Sequence, residues 1–176
     1  MVLPFGDRRP VIHPEALVVD SAVVIGDVEI GASSSIWFHA VVRGDIEPIR
    51  IGSRTNIQDN ATIHVVGGRH PTWIGDGVTI GHNAVVHGCT LGAGVLVGMG
   101  AIVLDGAIVE DESLIGAGAV VTPGTRVPSR SLVLGNPGRR IRSLDPGEVA
   151  RLADAAARYV ELLGAYRTPG SHVTVR

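Results

Sequence analysis

The chain contains no lysine, so all 15 of its basic side chains are arginines. A lysine nucleophile or a Schiff-base enzyme is therefore excluded. The single cysteine, Cys89, excludes an internal disulfide and fits a reducing compartment. The first ten residues are short, polar and interrupted by proline, which is not the pattern of a secretory leader. We therefore expect a cytoplasmic protein.

Aromatic residues are also scarce, at 3% of 176 residues, and the net charge is only −2. The low charge argues against a nucleic-acid partner, and the chain has no apolar run of about eighteen residues that would predict a membrane span. The length predicts one domain. Few rings and 24 glycines suit a narrow core that is filled with aliphatic side chains.

A six-residue repeat dominates what is present. Aliphatic residues recur at this spacing in four runs: Ile12, Val18, Val24, Ile30, Ile36 and Val42; Ile51, Ile57 and Ile63; Ile74, Ile80 and Val86; Leu91, Val97, Val103, Val109, Ile115, Val121 and Val127. Each unit is one short strand and one corner, and three units make a triangular coil whose stacking buries an aliphatic column. A β-sandwich would show period-two alternation instead. The repeat predicts an all-β fold, a parallel β-helix.

The spacing divides the chain into an extended lead-in at residues 1–11, the β-helix at 12–138, and a C-terminal α-helix with a tail at 139–176. Two interruptions, at residues 42–51 and 63–74, predict small loops pushed out of the coil.

The C-terminal helix has a clear start signal. Asp145 is a good N-cap, Pro146 suits the first helical position, and Glu148 completes a capping box. We expect the helix to pack on the β-helix or on a neighbouring subunit through one apolar stripe, formed by Val149, Leu152, Ala153, Ala156, Val160 and Leu163.

The repeat places histidines in register. His64 follows Ile63 and His87 follows Val86, three repeats apart, so both occupy the same outward slot on adjacent coils, roughly 4.8 Å apart. Counting in the same way puts Arg43 in that slot one coil earlier. On the preceding face, Asp59 and His82 also share a slot one coil apart.

Two neutral imidazoles held this closely suit a shared metal ion, and histidine is a good zinc ligand. His82 lies on a different face, so within one chain it is not expected to reach the ion held by His64 and His87. An adjacent copy could supply it, which predicts a cyclic trimer with a metal ion at each interface. The competing interpretation of each histidine alone is a surface side chain, but the shared register favours metal.

Four pieces of the sequence resemble the γ-class carbonic anhydrases: the Arg-Gly-Asp at 43–45, Thr-Asn-Ile-Gln-Asp at 55–59, His64, and Gly-His-Asn-Ala-Val-Val-His-Gly-Cys at 81–89. The resemblance covers nearly the whole chain. It implies a left-handed β-helix and a homotrimer with Zn²⁺, Fe²⁺ or Co²⁺ held by His64 and His87 of one subunit and His82 of the next.

The resemblance also implies roles for the residues around the metal. Arg43, Asp45 and Asp59 would form ion pairs that tie subunits together. Gln58 would bond and orient the metal-bound hydroxide, with Asn56 close by, and that hydroxide would attack CO2 to give bicarbonate.

Some positions depart from the family pattern. The loop at 65–73 is short and lacks the family's proton-shuttling glutamate, and Ile46 stands where a second glutamate is found. Both losses match a short-loop branch of the family and argue against fast proton export. Tyr159 resembles a tyrosine that approaches the metal in that branch, although packing against the β-helix is the alternative. His70 is either a replacement shuttle or a solvated loop residue, and Cys89 is either a soft ligand or a packed corner residue.

Three functions are compatible with this sequence. The first is a metal-dependent lyase that hydrates CO2. The second is a hexapeptide acyltransferase or thioesterase, which would not need three ligand histidines. The third is a non-catalytic trimeric scaffold or assembly protein, for which the missing acids would be natural.

Overall fold

The computed structural model describes residues 1–167 and shows a parallel β-helix of about seven turns, followed by one helix, α1 (Pro146–Arg167). The predicted fold is confirmed. No helix in this part of the chain is long and apolar enough to cross a membrane. The strands are β1 Val2–Leu3, β2 Val11–Ile12, β3 Leu17–Val18, β4 Val23–Ile30, β5 Ser35–Ile36, β6 Val41–Ile51, β7 Asn56–Ile57, β8 Thr62–His64, β9 Thr72–Ile74, β10 Thr79–Ile80, β11 Val85–His87, β12 Thr90–Leu91, β13 Leu96–Val97, β14 Ile102–Val103, β15 Ile108–Val109, β16 Leu114–Ile115, β17 Val120–Val121, β18 Arg126–Val127, β19 Ser131–Leu134 and β20 Arg139–Ser143.

The coils present three faces. Strands β3, β5, β7, β10, β13, β16 and β19 form one face, called here the helix face because α1 contacts β5 and β10. The second, called the histidine face, comprises β8, β11, β14 and β17 with the first halves of β4 and β6. The second halves of β4 and β6 continue into the third face with β2, β9, β12, β15 and β18. Strands one coil apart pair in parallel.

The six-residue repeat fills the core as predicted. Ile36, Ile57, Ile63 and Ile80 are fully buried, and burying one such side chain contributes about 1.5–3 kcal/mol. The small residues that close the corners are buried as well: Ala22, Ala40, Ala61, Ala84, Ala101, Ala107 and Ala119. One repeat therefore supplies both the aliphatic column and the space for tight corners.

The two predicted interruptions differ from each other. Residues 42–51 were expected to form a loop, but β6 runs through them as one strand, and its register with β4 shifts between Gly26 and Val28. The strands approach closely here, because a Cβ at Gly26, whose φ is +84°, would lie 2.3 Å from the carbonyl oxygen of Gly44. The second interruption does leave the coil, and Val66 and His70 form an isolated antiparallel bridge within it.

Both ends of the β-helix carry a strand that the repeat did not predict. Within the expected lead-in, β1 pairs in parallel with β4, whereas β2 pairs Ile12 with Ile30 as the spacing predicts. After the β-helix, β20 pairs with β19 in antiparallel fashion before α1 begins. Neither β1 nor β20 has a six-residue repeat, so their pairing could not be deduced from the spacing.

The predicted capping box starts α1. The Glu148 amide donates to Asp145 Oδ1 at 2.8 Å, and the Asp145 amide donates to Glu148 Oε2 at 3.0 Å. The helix buries Leu152, Ala156 and Leu163. Ala153, which was expected in the same stripe, is exposed and lies outside the contact. The tail expected at 168–176 lies outside the described residues.

Candidate metal centre

His64 and His87 are register partners at the ends of β8 and β11, as the repeat spacing predicts. Their ring centroids lie 5.1 Å apart with the planes tilted by 58°. His64 Nδ1 is 3.1 Å from His87 Nε2. The two rings therefore converge on one point with a nitrogen from each.

The other nitrogen of each ring contacts a carboxylate. His64 Nε2 lies 3.0 Å from Asp45 Oδ1, and His87 Nδ1 is within hydrogen-bonding distance of Asp105 Oδ1. An ionised carboxylate only accepts hydrogen bonds, so both outer nitrogens carry the proton of a neutral ring. Arg43 pairs with Asp45. Burial raises the pKa of Asp45, but the bonds from His64 and Arg43 outweigh this and hold that pKa below its usual value.

The two inner nitrogens, His64 Nδ1 and His87 Nε2, are then both lone pairs that face each other. Three arrangements relieve this contact: a proton between the rings, a change of tautomer in one ring that makes it a donor, or a shared metal ion. Burial lowers the pKa of His64, and the positive charge of Arg43 lowers it further against the opposing hydrogen bond to Asp45, which disfavours the proton. Two nitrogens on one tetrahedral zinc ion lie roughly 3.4 Å apart for bonds of roughly 2.0–2.1 Å. The observed 3.1 Å fits a shared metal ion with a small adjustment.

His82 lies at a different corner. Its Nδ1 is 3.0 Å from Asp59 Oδ2, and its side chain is 34% exposed. This contact leaves Nε2 as the ring nitrogen that points away from the carboxylate. No group of three histidine, cysteine or acidic side chains within residues 1–167 is placed to hold a metal ion. A third protein ligand would therefore have to come from outside these residues.

Two hydrogen-bonded side-chain amides, Gln58 and Asn56, lie next to Asp59, the partner of His82. Gln58 Nε2 donates to Asn56 Oδ1 at 3.1 Å, and Asn56 Nδ2 donates to Thr79 Oγ1 at 2.9 Å. Both amides are buried. The structure thus divides the predicted site residues into two groups: Arg43, Asp45, His64 and His87 at one corner, and Asn56, Gln58, Asp59 and His82 at another.

Tyr159 lies close enough to Asp59 of the second group for that charge to affect its pKa, and its partly buried ring packs against the core. Its ring meets Trp37 edge-on at a centroid distance of 5.5 Å, and Trp37 also contacts Tyr166 at 4.9 Å. Burial raises the pKa of Tyr159, and the negative charge of Asp59 raises it further. The ring of Tyr159 therefore packs against the β-helix, and its approach to a metal ion between copies stays a prediction.

The other two candidate residues lie near the first group. Cys89 is buried, and burial raises the pKa of its thiol to about 12, as expected for a packed corner residue. His70 packs on the next coil, since a Cβ at Gly106 would lie 3.2 Å from His70 Cε1.

Asp105 is the site residue that sequence reasoning missed. It follows Leu104 on the coil after His87, and the neighbouring amide of Gly106 donates to the Gly88 carbonyl at 2.7 Å. The signal was present, because counting repeats puts Asp105 opposite the residue after His87. An acid at a corner resembles an ordinary turn residue, so the sequence alone did not single it out.

Known proteins with similar sequences support a family assignment. The bacterial transferase hexapeptide family (six repeats) matches residues 88–123. The mitochondrial γ carbonic anhydrase 1 of Arabidopsis thaliana is 48% identical over 165 residues, which cover 91% of this chain and 60% of the plant protein. The chain thus spans less than two thirds of that relative. A probable carbonic anhydrase of Methanocaldococcus jannaschii is 47% identical over 86% of this chain and 94% of its own length.

A solved structure gives the same fold. The crystal structure of a Bacillus cereus protein described as a putative acetyltransferase superposes with a TM-score of 0.92 at 37% identity and covers 94% of this chain and 96% of that one. Similarity at this level over nearly whole chains, together with the sequence relatives, shows the family. This hexapeptide-repeat chain belongs to the γ-class carbonic anhydrase family.

Proposed function

We propose that this protein catalyses the reversible hydration of CO2 to bicarbonate with a divalent metal ion, Zn²⁺ or alternatively Fe²⁺ or Co²⁺, at the interfaces of a homotrimer. The observation that carries the proposal is the approach of His64 Nδ1 to His87 Nε2 at 3.1 Å, with an aspartate on the opposite nitrogen of each ring. The carbonic anhydrase names of two relatives supply the reaction class. A cytoplasmic location stays a prediction from the sequence.

The ligands would be His64 Nδ1 and His87 Nε2 of one copy and His82 Nε2 of the next. In each ring the opposite nitrogen contacts an aspartate, an arrangement that fixes the ring and raises its basicity toward a metal. When bound, the metal ion supplies hydroxide at neutral pH, since three neutral imidazoles leave its charge uncompensated and the pKa of water falls to about 7.

The histidine face supports a trimer. Its outward side chains are half-buried and all β-branched: Val23, Val41, Thr62, Val85, Ile102 and Val120. On the helix face, α1 packs against β5 and β10, and the third face carries the ion pairs of Arg50 with Asp27 and Glu29. The apolar histidine face, next to His64 and His87, is the one suited to contact another copy.

Gln58 would orient the attacking oxygen from the neighbouring copy. Its Nε2 is committed to Asn56, which turns Oε1 away to accept an O–H. Arg43, whose side chain is 44% exposed, would reach across the interface toward Asp59 of the neighbouring copy while keeping Asp45 ionised beside His64. Tyr159, on which the charge of Asp59 acts, would approach the metal ion as the family resemblance implies.

Metal analysis and a CO2 hydration assay on one sample test the proposal. The protein would be purified without oxygen, loaded with Zn²⁺, Fe²⁺ or Co²⁺, and assayed by stopped flow at alkaline pH. We expect about one metal ion per chain and hydration that disappears on metal removal. A trimer that binds no metal would contradict the proposal.

One observation favours a second candidate, the non-catalytic trimeric scaffold. Ile46 is exposed where the family pattern has a glutamate, and the loop at 65–73 contains no acid, so both of the family's glutamates are missing. A metal-loaded trimer without measurable hydration would identify this function.

The acetyltransferase description of the Bacillus cereus structure gives a third candidate function, acetyl transfer, which an assay of acetyl-CoA turnover would test.

A further inference from the structure

We propose that Asp105 is the positioning residue of His87: its carboxylate fixes the ring tautomer and thereby makes Nε2 the nitrogen offered to the metal ion. The inference rests on the proposed metal site, but the role of Asp105 can also be measured in metal-free protein. Asp105 Oδ1 contacts His87 Nδ1, and no residue of the resemblance described above corresponds to it.

The position of the carboxylate is built into the coil. The Asp105 carbonyl accepts from the Gly124 amide at 2.8 Å, which ties its backbone to the next coil. On the other side, Gly88 leaves the space that the carboxylate needs, since a Cβ there would lie 3.0 Å from Asp105 Oδ1. Gly88 also has a φ of +53°, a conformation that favours glycine. The contact is therefore held by backbone geometry on both coils.

The competing state of the site is a hydrogen bond between the two rings. If His87 carried its proton on Nε2, it would donate to His64 Nδ1 across 3.1 Å, and neither nitrogen would be available to a metal ion. The carboxylate of Asp105 can accept a hydrogen bond from His87 only when the proton is on Nδ1. This charge-assisted bond is stronger than a neutral bond between the two rings. Asp105 thus selects the tautomer that keeps Nε2 open.

Another aspartate on the coils provides a matched comparison. Asp111 lies at the corner that follows Val109, and its Oδ1 accepts from the Ala93 amide at 2.9 Å. It serves the turn and contacts a backbone amide, whereas Asp105 contacts an imidazole. Loss of Asp111 therefore reports on general damage to a corner.

The experiment compares Asp105→Ala, Asp105→Asn and Asp111→Ala with the parent protein. Ring ¹H–¹⁵N spectra of the metal-free proteins at pH 8 report the tautomer of His87. Chelator competition then gives the zinc dissociation constant. We expect Nδ1–H in the parent, a shift toward Nε2–H in Asp105→Ala, and about a 10–100-fold loss of zinc affinity in that variant.

The controls separate this role from structural damage. Asp111→Ala should keep the parent tautomer and affinity, and Asp105→Asn, whose amide oxygen can still accept from Nδ1–H, should fall between the parent and Asp105→Ala. Parent-like tautomer and affinity in Asp105→Ala would overturn the inference; if that variant does not fold, a parent-like Asp105→Asn on both readouts would do so. If the parent binds no zinc, the proposed function fails, and the tautomer alone decides the role of Asp105.

Discussion

His64 Nδ1 and His87 Nε2 face each other across 3.1 Å while an aspartate holds the opposite nitrogen of each ring. This relationship makes both inner nitrogens acceptors. Under the proposed function, it also explains how two histidines of one chain would bind a metal ion together. The pair supplies only two of the three ligands that the proposal requires, because His82 lies with Asp59 at another corner.

Arg43→Ala should weaken the trimer before it affects the fold. The guanidinium is partly exposed and pairs with Asp45 beside His64, and under the proposal it also meets Asp59 of the next copy. We expect sedimentation to show dissociation at protein concentrations where the parent stays assembled, with an unchanged circular dichroism spectrum. Arg69→Ala, a change at an exposed loop arginine, is the control. An unchanged mass distribution for Arg43→Ala would contradict the ion-pair role.

Acid should destabilise the metal-free protein through His64. Burial and nearby positive charges lower the pKa of His64 below the ordinary 6.5, so the unfolded chain binds this proton at a higher pH than the folded one. Stability is therefore fully present above about pH 6.5 and falls as the pH drops below it toward the folded pKa. Denaturant unfolding between pH 8 and 5 measures this. If the unfolding free energy changes with pH equally in the parent and in His64→Gln over this range, the lowered pKa of His64 is contradicted.

Ile80→Ala should cost about 2–5 kcal/mol of unfolding free energy, since it opens a cavity in a closely packed column. Ile80 is fully buried, whereas Ile108 is 36% exposed on the third face. Ile108→Ala is therefore the matched control and should cost much less. Urea unfolding of both variants measures the difference, and equal losses would mean that the six-residue repeat does not define the core.

Much of this structure could be predicted because residues three repeats apart lie in the same slot on adjacent coils. The spacing gave the core, the register of His64 with His87 and the separate position of His82 without any coordinates. It failed where the chain leaves the repeat: residues 42–51 form a strand with a shifted register, and β20 pairs in antiparallel fashion through a segment with no period. Asp105 was missed because its role depends on where its carboxylate points, which a residue count does not contain.

The measurement that tests the central claim is the metal content of single and mixed histidine variants. His64→Ala and His82→Ala each remove one ligand, so each purified alone should bind little zinc. When the two are refolded together, some interfaces would combine an intact His64 and His87 pair with an intact His82, and part of the metal should return. His13→Ala, a change at an exposed histidine on the first coil, should bind a full complement. Full metal in His82→Ala alone, or no recovery in the mixed trimer, would contradict a site shared between copies.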